Sequence, residues 1–134
     1  MRLIESQRQR KGMLMPIRVQ RKRIANWRMP DNTIYVGRPT RWGNPYGVQK
    51  VRSIDGWKWV VSNPDGECRG RYTSRNNAQH RAVQLYQWMI EDELKINPAA
   101  LVELRGKDLA CWCRSDQPCH CDVLLELANT PADM

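Results

Sequence analysis

The sequence predicts an α/β or α+β domain, with a small mixed and partly parallel sheet, flanking helices and a β-hairpin insertion. Three observations support this prediction. Short β-branched and aromatic runs alternate with longer segments whose apolar residues recur at helical spacing. Pro, Gly and Asn separate these segments, as turn residues do. The 134 residues, of which 41% are hydrophobic, suit a single core.

The first predicted elements are two short strands that follow a basic arm. Residues 1–16 are rich in Arg and Gln and predict a flexible arm, so one compact domain is expected over residues 17–134. Residues 17–20 alternate in polarity, and residues 33–36 form a β-branched and aromatic run typical of a buried strand. A loop is expected over residues 37–45, because two glycines and two prolines interrupt any strand pairing there.

A hairpin excursion is predicted over residues 46–73. Residues 57–61 form its first strand, an Asn-Pro-Asp-Gly turn follows, and residues 67–72 return as the partner. Trp57 and Trp59 then share one face, where they either cover the sheet or form a stacking platform.

Helices dominate the rest of the chain, because apolar residues there follow helical spacing and capping residues precede them. The expected elements are a long helix from Ser74 or Asn76 to about Lys95, a short helix over residues 98–104, a strand over residues 108–113 and a last helix that follows Pro118 and ends near Ala128.

The charge is concentrated in the amino-terminal part. Residues 1–50 carry a net charge of +10 and residues 51–134 a net charge of −2, which together give +8. This asymmetry predicts an anionic partner, either nucleic acid or a phosphorylated small molecule, although a run such as residues 1–12 is also typical of a solvated tail. The residues expected to contact nucleic acid are Arg18, Arg21, Lys22 and Arg23.

The loop after the buried strand carries the residue types of a phosphate-binding site. Gly37 and Gly43 permit a close backbone approach, and Arg38 and Arg41 offer paired N–H donors. Stacking by an aromatic ring and hydrogen bonding by an amide complete the predicted ligand site, which consists of Gly37, Arg38, Arg41, Trp42 and Asn44. The competing interpretation is that Trp42 fills the core and that the loop binds nothing.

Four of the five cysteines fall within eleven residues, which favours metal or thiol chemistry over a disulfide framework. Sulfur and imidazole ligands are those that zinc prefers, so we expect a zinc site. Its ligands are Cys111, Cys113 and Cys119, with His120 or Cys121 as the fourth. Buried reduced cysteines without a metal are the alternative. If the strands of the loop and of the cluster are parallel neighbours, both motifs share one crevice.

Thiol catalysis is a further alternative for the same cluster. Cys119 is predicted at a helix amino terminus, where exposed N–H groups lower a thiol pKa and favour a nucleophilic thiolate. Asp122, in the same turn, is expected to act as a helix-start carboxylate, to orient His120 or to contact a ligand hydroxyl. The candidate catalytic residues are therefore Cys119 and Asp122.

No apolar run approaches the roughly 20 residues that a bilayer crossing needs, and the first residues lack the apolar region of a signal peptide. We therefore expect a cytoplasmic protein with no membrane partner.

Taken together, several ordered motifs resemble a bacterial and bacteriophage family, domain of unknown function 4326, over about residues 17–129. The motifs are Arg18-Val19-Gln20-Arg21, Tyr35-Val36-Gly37-Arg38-Pro39, Trp42-Gly43-Asn44-Pro45, Leu104-Arg105-Gly106-Lys107-Asp108-Leu109, Cys111-Trp112-Cys113 and Pro118-Cys119-His120. In the family's pattern Ala and Asp follow Cys-His, so Cys121 is a departure. The resemblance thus favours His120 over Cys121 as the fourth ligand, and it implies a bacterial or phage-encoded protein.

Three functions are compatible with these features. The first is an enzyme-like α/β protein that binds a nucleotide, a nucleoside or a nucleic-acid end beside the Cys/His cluster. The residues do not choose a reaction. The second is a non-catalytic, zinc-stapled module that binds nucleic acid through its positive charge. The third is a small host-interaction protein with an acidic protein partner.

Overall fold

The computed structural model describes residues 15–130. The predicted arm over residues 1–16 therefore lies almost wholly outside the described residues. In chain order, the elements are β1 (Arg18–Gln20), β2 (Thr33–Tyr35), β3 (Gly47–Ser53), β4 (Gly56–Ser62), β5 (Cys68–Tyr72), α1 (Arg75–Ile96), a 3-10 turn (Val102–Leu104), β6 (Asp108–Cys111) and α2 (His120–Asn129). This order confirms the predicted α/β class.

A three-stranded parallel sheet forms the base of the fold. Its strand order is β1-β6-β2, so the strand that comes last in the chain lies between the first two. Leu109 of β6 faces Arg18 on one side and Ile34 on the other, and it is fully buried. Parallel pairing follows from the long connections between these strands, which α1 and the second sheet fill.

The second sheet is an antiparallel meander of β3, β4 and β5. The sequence predicted a hairpin insertion of the later two strands, and the structure adds a third strand, so that the insertion is a three-stranded sheet of its own. Strand β3 was missed because it is an edge strand whose side chains are mostly polar, so it lacks a long apolar pattern. The predicted excursion over residues 46–73 nevertheless has these boundaries.

Helix α1 connects the two sheets. Ser74 caps it by accepting a hydrogen bond from the backbone N–H of Asn77, at 3.1 Å. Its first half packs Ala78, Ala82 and Leu85 against Val61 of the meander. Its second half, from Tyr86 onward, joins a larger core shared with the parallel sheet and α2.

The last predicted elements are shorter in the structure. The helix expected over residues 98–104 is only the 3-10 turn, and the strand expected over residues 108–113 ends at Cys111. Helix α2 begins at His120, so residues 112–119 form a loop that carries two of the clustered cysteines. Within residues 15–130, neither helix combines the length and the apolar character needed to cross a membrane.

Candidate functional site

A cavity of about 220 Å³ lies where the carboxyl ends of β2 and β6 open beneath α1. Because these strands are parallel neighbours, the segments that follow them emerge on the same side of the sheet. The polar and sulfur-bearing residues around the cavity are Arg38, Asn44, Tyr46, Gln79, Cys113, Cys119 and His120. The structure thus brings the glycine–arginine–asparagine loop and the cysteine cluster together.

The backbone of the loop over residues 37–45 packs closely against neighbouring side chains at its two glycines. A β-carbon on Gly37 would lie 2.5 Å from the hydroxyl oxygen of Tyr35, and one on Gly43 would lie 3.1 Å from the α-carbon of Arg38. Only glycine fits either position without displacement of its neighbour. The buried Tyr86 hydroxyl fixes the same loop from α1, since it donates to the carbonyl of Trp42 at 2.6 Å.

Arg38 is the cation of the cavity. Its Nε donates to the carbonyl of Asn44 at 2.9 Å, and one terminal nitrogen donates to the carbonyl of Tyr46 at 3.4 Å. Among residues 15–130 no carboxylate forms an ion pair with it. The guanidinium therefore keeps its full charge and several N–H donors for an anion.

Three of the other predicted ligand residues are engaged within the protein. The Asn44 amide donates to the carbonyl of Ala82 at 3.2 Å, and its oxygen accepts from the N–H of Tyr46 at 2.9 Å. Arg41 pairs with Glu103 and lies 4.6 Å above the ring of Trp42, away from the cavity lining. Trp42 itself packs against the larger core. Asn44 is thus a fixed wall of the cavity, whereas Arg41 and Trp42 lie outside it.

Gln79 is a cavity residue that the sequence did not single out. Its Oε1 atom is buried, and no group of residues 15–130 hydrogen-bonds with it, although the residue lines the cavity. A buried acceptor without a donor is costly and calls for a hydrogen-bond donor from a ligand or water. The available signal was its place on α1 one turn before Ala82 and Val83, which line the same cavity.

Three sulfur atoms converge beside the cavity. The Sγ atoms of Cys111, Cys113 and Cys119 all lie within 4.8 Å of one another, and those of Cys111 and Cys119 are 3.4 Å apart. All five cysteines are reduced. Hydrogen bonding with the Cys113 and Cys119 thiols lowers the pKa of Cys111, so the cluster favours a thiolate.

His120 stands next to this cluster with a fixed orientation. Its Nε2 lies 2.9 Å from the carbonyl oxygen of Val36, which can only accept, so Nε2 carries the proton and donates. The other nitrogen, Nδ1, lies 3.7 Å from the Sγ of Cys119. Burial lowers the pKa of His120, so the ring is neutral and Nδ1 is free to accept or to coordinate. Nδ1 is not one of the mutually close ligand atoms, which are the three sulfurs.

Cys121, the alternative fourth ligand, points elsewhere. Its thiol donates to the carbonyl of Leu109 at 3.3 Å, and of the three clustered sulfurs it contacts that of Cys111. Contact with Cys111 and burial raise the pKa of Cys121. It is a buried core thiol and does not belong to the group of three.

The family of the chain follows from a comparison with family models. The model of Domain of unknown function (DUF4326) matches residues 19–130, which include every strand and helix described above except the first residue of β1. The chain belongs to the DUF4326 family. No curated protein and no solved structure matches it. Both the loop and the cysteine cluster lie inside the DUF4326 match.

The two predicted catalytic residues of this DUF4326 domain lie at the start of α2, but their surroundings differ from the expectation. Cys119 is the N-cap of α2, as expected, but it is buried, and contact with Cys111 raises its pKa. The neighbouring thiols and burial thus act on the Cys119 pKa in the direction opposite to the helix terminus. Asp122 is exposed in the first turn of α2, where it pairs with Arg18 at 2.9 Å and does not orient His120.

Arg18 holds the loop that connects the clustered cysteines. Its terminal nitrogens donate to Asp122 and to three backbone carbonyls of that loop, and its side chain is only 13% exposed. The carbonyls belong to Arg114, Ser115 and Gln117, at 3.0, 2.7 and 3.0 Å. We assign Arg18 to this structural role in DUF4326 and leave it out of the candidate nucleic-acid contacts.

Replacement of Arg18 by methionine is expected to lower the free energy of unfolding by about 2–3 kcal/mol, because hydrogen bonds to a charged group are lost and backbone acceptors are left unpaired. Urea unfolding measures this change. Arg114→Met is the matched control, since its pair with Asp116 is exposed on both sides and is worth about 0–1 kcal/mol. Equal stability of the two variants would contradict the role of Arg18.

The other predicted basic contacts form an aromatic stack on the opposite end of β1. The Arg21 guanidinium lies 4.5 Å from the ring of Tyr35 and 4.7 Å from that of Trp112. Arg23 lies 4.6 Å from the same Trp112 ring, and Lys22 is exposed. These cation–π contacts restrict the positions of the Arg21 and Arg23 side chains.

Proposed function

We propose that this DUF4326 protein binds a phosphorylated nucleoside in the cavity, beside a zinc ion held by the cysteine cluster. One observation carries the proposal: two groups line the same cavity, a cation and a buried acceptor, and residues 15–130 offer the cation no carboxylate partner and the acceptor no donor. These groups are Arg38 and Gln79. A phosphate would satisfy the first, and an N–H of a base or a hydroxyl of a sugar would satisfy the second.

The dimensions and walls of the cavity favour one nucleoside unit. Its volume of about 220 Å³ is smaller than the roughly 300–1,000 Å³ of sites for drug-sized ligands, so a dinucleotide would not fit inside. Tyr46, Ala82, Val83 and Pro118 add apolar wall to the polar groups. Apolar walls with a few placed polar groups are the usual composition of a small-molecule site.

Zinc is the metal that the cluster fits best, with Cys111, Cys113 and Cys119 as ligands. Nδ1 of His120 would be the fourth ligand once its ring moves toward the sulfurs, since in this structure it lies near Cys119 but outside the mutually close group. Sulfurs at about 2.3 Å from a tetrahedral ion are about 3.8 Å apart, and sulfur and nitrogen ligands are about 3.6 Å apart. The 3.4 Å between Cys111 and Cys119 and the 3.7 Å from Cys119 to His120 are close to these separations. The bond from Nε2 of His120 to Val36 also matches the way metal-bound histidines are oriented.

Four protein ligands would give the zinc ion a structural role. The ion would fix the loop over residues 112–119 and thereby the cavity wall formed by Cys113, Pro118 and Cys119. If His120 leaves the fourth position to water, the same ion would instead activate that water for hydrolysis. The proposed ligand binding is the same in both cases, so the reaction is a separate question.

Arg38→Ala is expected to weaken nucleoside monophosphate binding by about 10–150-fold, which corresponds to the roughly 1.5–3 kcal/mol of a hydrogen bond to a charged group. Isothermal titration calorimetry with a panel of nucleoside monophosphates, nucleosides and inorganic phosphate measures the loss. Gln79→Met, which removes the unpaired acceptor at similar volume, is expected to weaken binding to a smaller degree and to leave the fold intact.

Arg69→Ala is the matched control, because Arg69 is an exposed arginine of β5 that does not line the cavity. Circular dichroism checks that each variant is folded. Affinity that falls equally in Arg38→Ala and Arg69→Ala would support the alternative of a module that binds through overall charge. An absence of nucleotide binding by the wild-type protein at millimolar concentration would overturn the proposal.

A further inference from the structure

One face of the antiparallel sheet presents tryptophans and cations side by side. In the register of β3 and β4, Lys50 lies opposite Trp59 and Arg52 lies opposite Trp57, so all four side chains project from the same face. Arg75, the first residue of α1, lies over the same Trp59 ring. We call these five residues the aromatic–basic face.

The aromatic–basic face carries a net positive charge and is largely open to solvent, while Trp59 at its inner edge is half-buried and packs against the core cluster around Val61. Trp57 is 54% exposed, and the three cations are exposed as well. Among residues 15–130 no carboxylate forms an ion pair with Lys50, Arg52 or Arg75. The acidic residue nearest in sequence, Asp55 in the β3–β4 turn, is paired with Lys58 at 3.5 Å.

The cations lie loosely over the indole rings. The Nζ of Lys50 is 5.1 Å from the centroid of Trp57 and 5.7 Å from that of Trp59, and Arg52 and Arg75 lie at 5.6 and 5.7 Å. These distances approach the limit of about 6 Å for a cation–π contact. Long flexible side chains in such contacts can move to a phosphate group while a base takes their place on the ring.

The face begins at the wall of the cavity. Val48 lines the cavity, and side chains of one strand alternate, so Val48, Lys50 and Arg52 follow one another along the same side of β3. The distance from the first to the last is about 14 Å at roughly 3.4 Å per residue. On α1, Gln79 in the cavity lies one turn after Arg75.

We infer that the aromatic–basic face binds a single strand of nucleic acid whose terminal nucleotide occupies the cavity. The inference rests on the proposed function, because it makes the nucleotide in the cavity the end of a chain. Indole rings stack on any base, and neighbouring cations bind the phosphates between bases. An acidic protein could use the cations but would have no need of the exposed indole ring of Trp57 between them.

The test is fluorescence anisotropy with a labelled eight-residue oligothymidylate and the corresponding oligouridylate. Trp57→Ala is expected to weaken binding about tenfold through the loss of one stacking contact, and to leave the affinity for a mononucleotide unchanged. Because Trp57 is exposed, its removal leaves the core intact. Trp88→Ala is the matched control, since Trp88 is 47% exposed and also carries an arginine, Arg81, at 5.3 Å.

A covalently closed circular oligonucleotide of the same bases tests whether binding needs a free strand terminus. Because it has no terminal nucleotide to occupy the cavity, it is expected to bind at least about fivefold more weakly than the linear strand. Equal losses in Trp57→Ala and Trp88→Ala, equal binding of circle and line, or equally tight binding of polyglutamate would each overturn the inference. A wild-type protein that binds mononucleotides but shows one of these results refutes the inference and keeps the proposed function. A wild-type protein that binds no mononucleotide refutes the proposed function itself, whereas the Trp57→Ala result still reports on the aromatic–basic face.

Discussion

Protein purified under reducing conditions is expected to contain about one zinc ion per chain, and Cys113→Ser is expected to reduce this to less than about one-tenth. Serine keeps the size of the side chain but replaces the soft sulfur ligand that zinc prefers. Cys113 is the most informative of the three ligands because it is only partly buried, so the substitution disturbs the core least. Elemental analysis by mass spectrometry measures the ratio.

Two other cysteines provide internal controls for this experiment. Cys68→Ser is expected to retain the metal because Cys68 lies exposed on the second sheet. Cys121→Ser is also expected to retain it, since the Cys121 thiol donates to the carbonyl of Leu109 and lies outside the group of three sulfurs. A folded wild-type protein without metal would refute the zinc site. Loss of zinc in Cys121→Ser would show that Cys121, and not His120, is the fourth ligand.

Removal of the metal should also destabilise the fold. A ligand present at 1,000 times its dissociation constant adds about 4 kcal/mol to the free energy of unfolding. For a domain of this size that corresponds to a change in Tm of about 12–20 °C, at roughly 3–5 °C per kcal/mol. Differential scanning calorimetry with and without a chelator measures the change, and Cys113→Ser should show no further response to the chelator.

Leu109→Ala is expected to lower the free energy of unfolding by about 3–4 kcal/mol. Leu109 is fully buried in the central strand of the parallel sheet, so shortening it removes apolar contacts and leaves a cavity in the core that packs against the sheet. The midpoint of urea unfolding, with zinc held constant, measures the loss. Ile54→Ala in the β3–β4 turn is the control, because Ile54 is fully exposed and should change stability by less than about 0.5 kcal/mol. A loss in Leu109→Ala as small as that of the control would contradict the central position of β6.

The parts of the fold with a strong local pattern were predictable from the sequence. The apolar spacing of α1 and its Ser74 cap gave the helix to within a residue or two, and the β-branched run around Ile34 gave β2. Strand β3 was not predictable in the same way, because an exposed edge strand has no need of apolar alternation. Its partners, not its own side chains, determine that it is a strand.

The candidate site was likewise predictable in part. The sequence predicted which segments meet, since parallel neighbours bring their carboxyl ends together, but not which side chains remain free once they meet. Arg18 and Asn44 have the chemistry of ligand contacts, yet backbone carbonyls take their donors. Gln79 resembles any polar residue on a helix, and only the packing around it leaves its oxygen without a donor from the described part of the chain. Competition from the backbone for polar side chains depends on tertiary contacts, which residue type and spacing do not encode.

The strand order β1-β6-β2 has a consequence for how the chain is made. Within the described residues, β1 and β2 each pair with β6 alone, so they lack a sheet partner until residues 108–111 emerge from the ribosome and enter between them. The meander and α1, which together span residues 47–96, have mainly local contacts and are able to form earlier. We therefore expect a nascent chain that first exposes a half-built domain and then gains its parallel sheet, its three-sulfur cluster and its cavity in one late step. The chain would then bind a nucleotide in the cavity only after α2 has been synthesised. A chain truncated before β6 would carry the aromatic–basic face but not the cavity proposed to hold the terminal nucleotide.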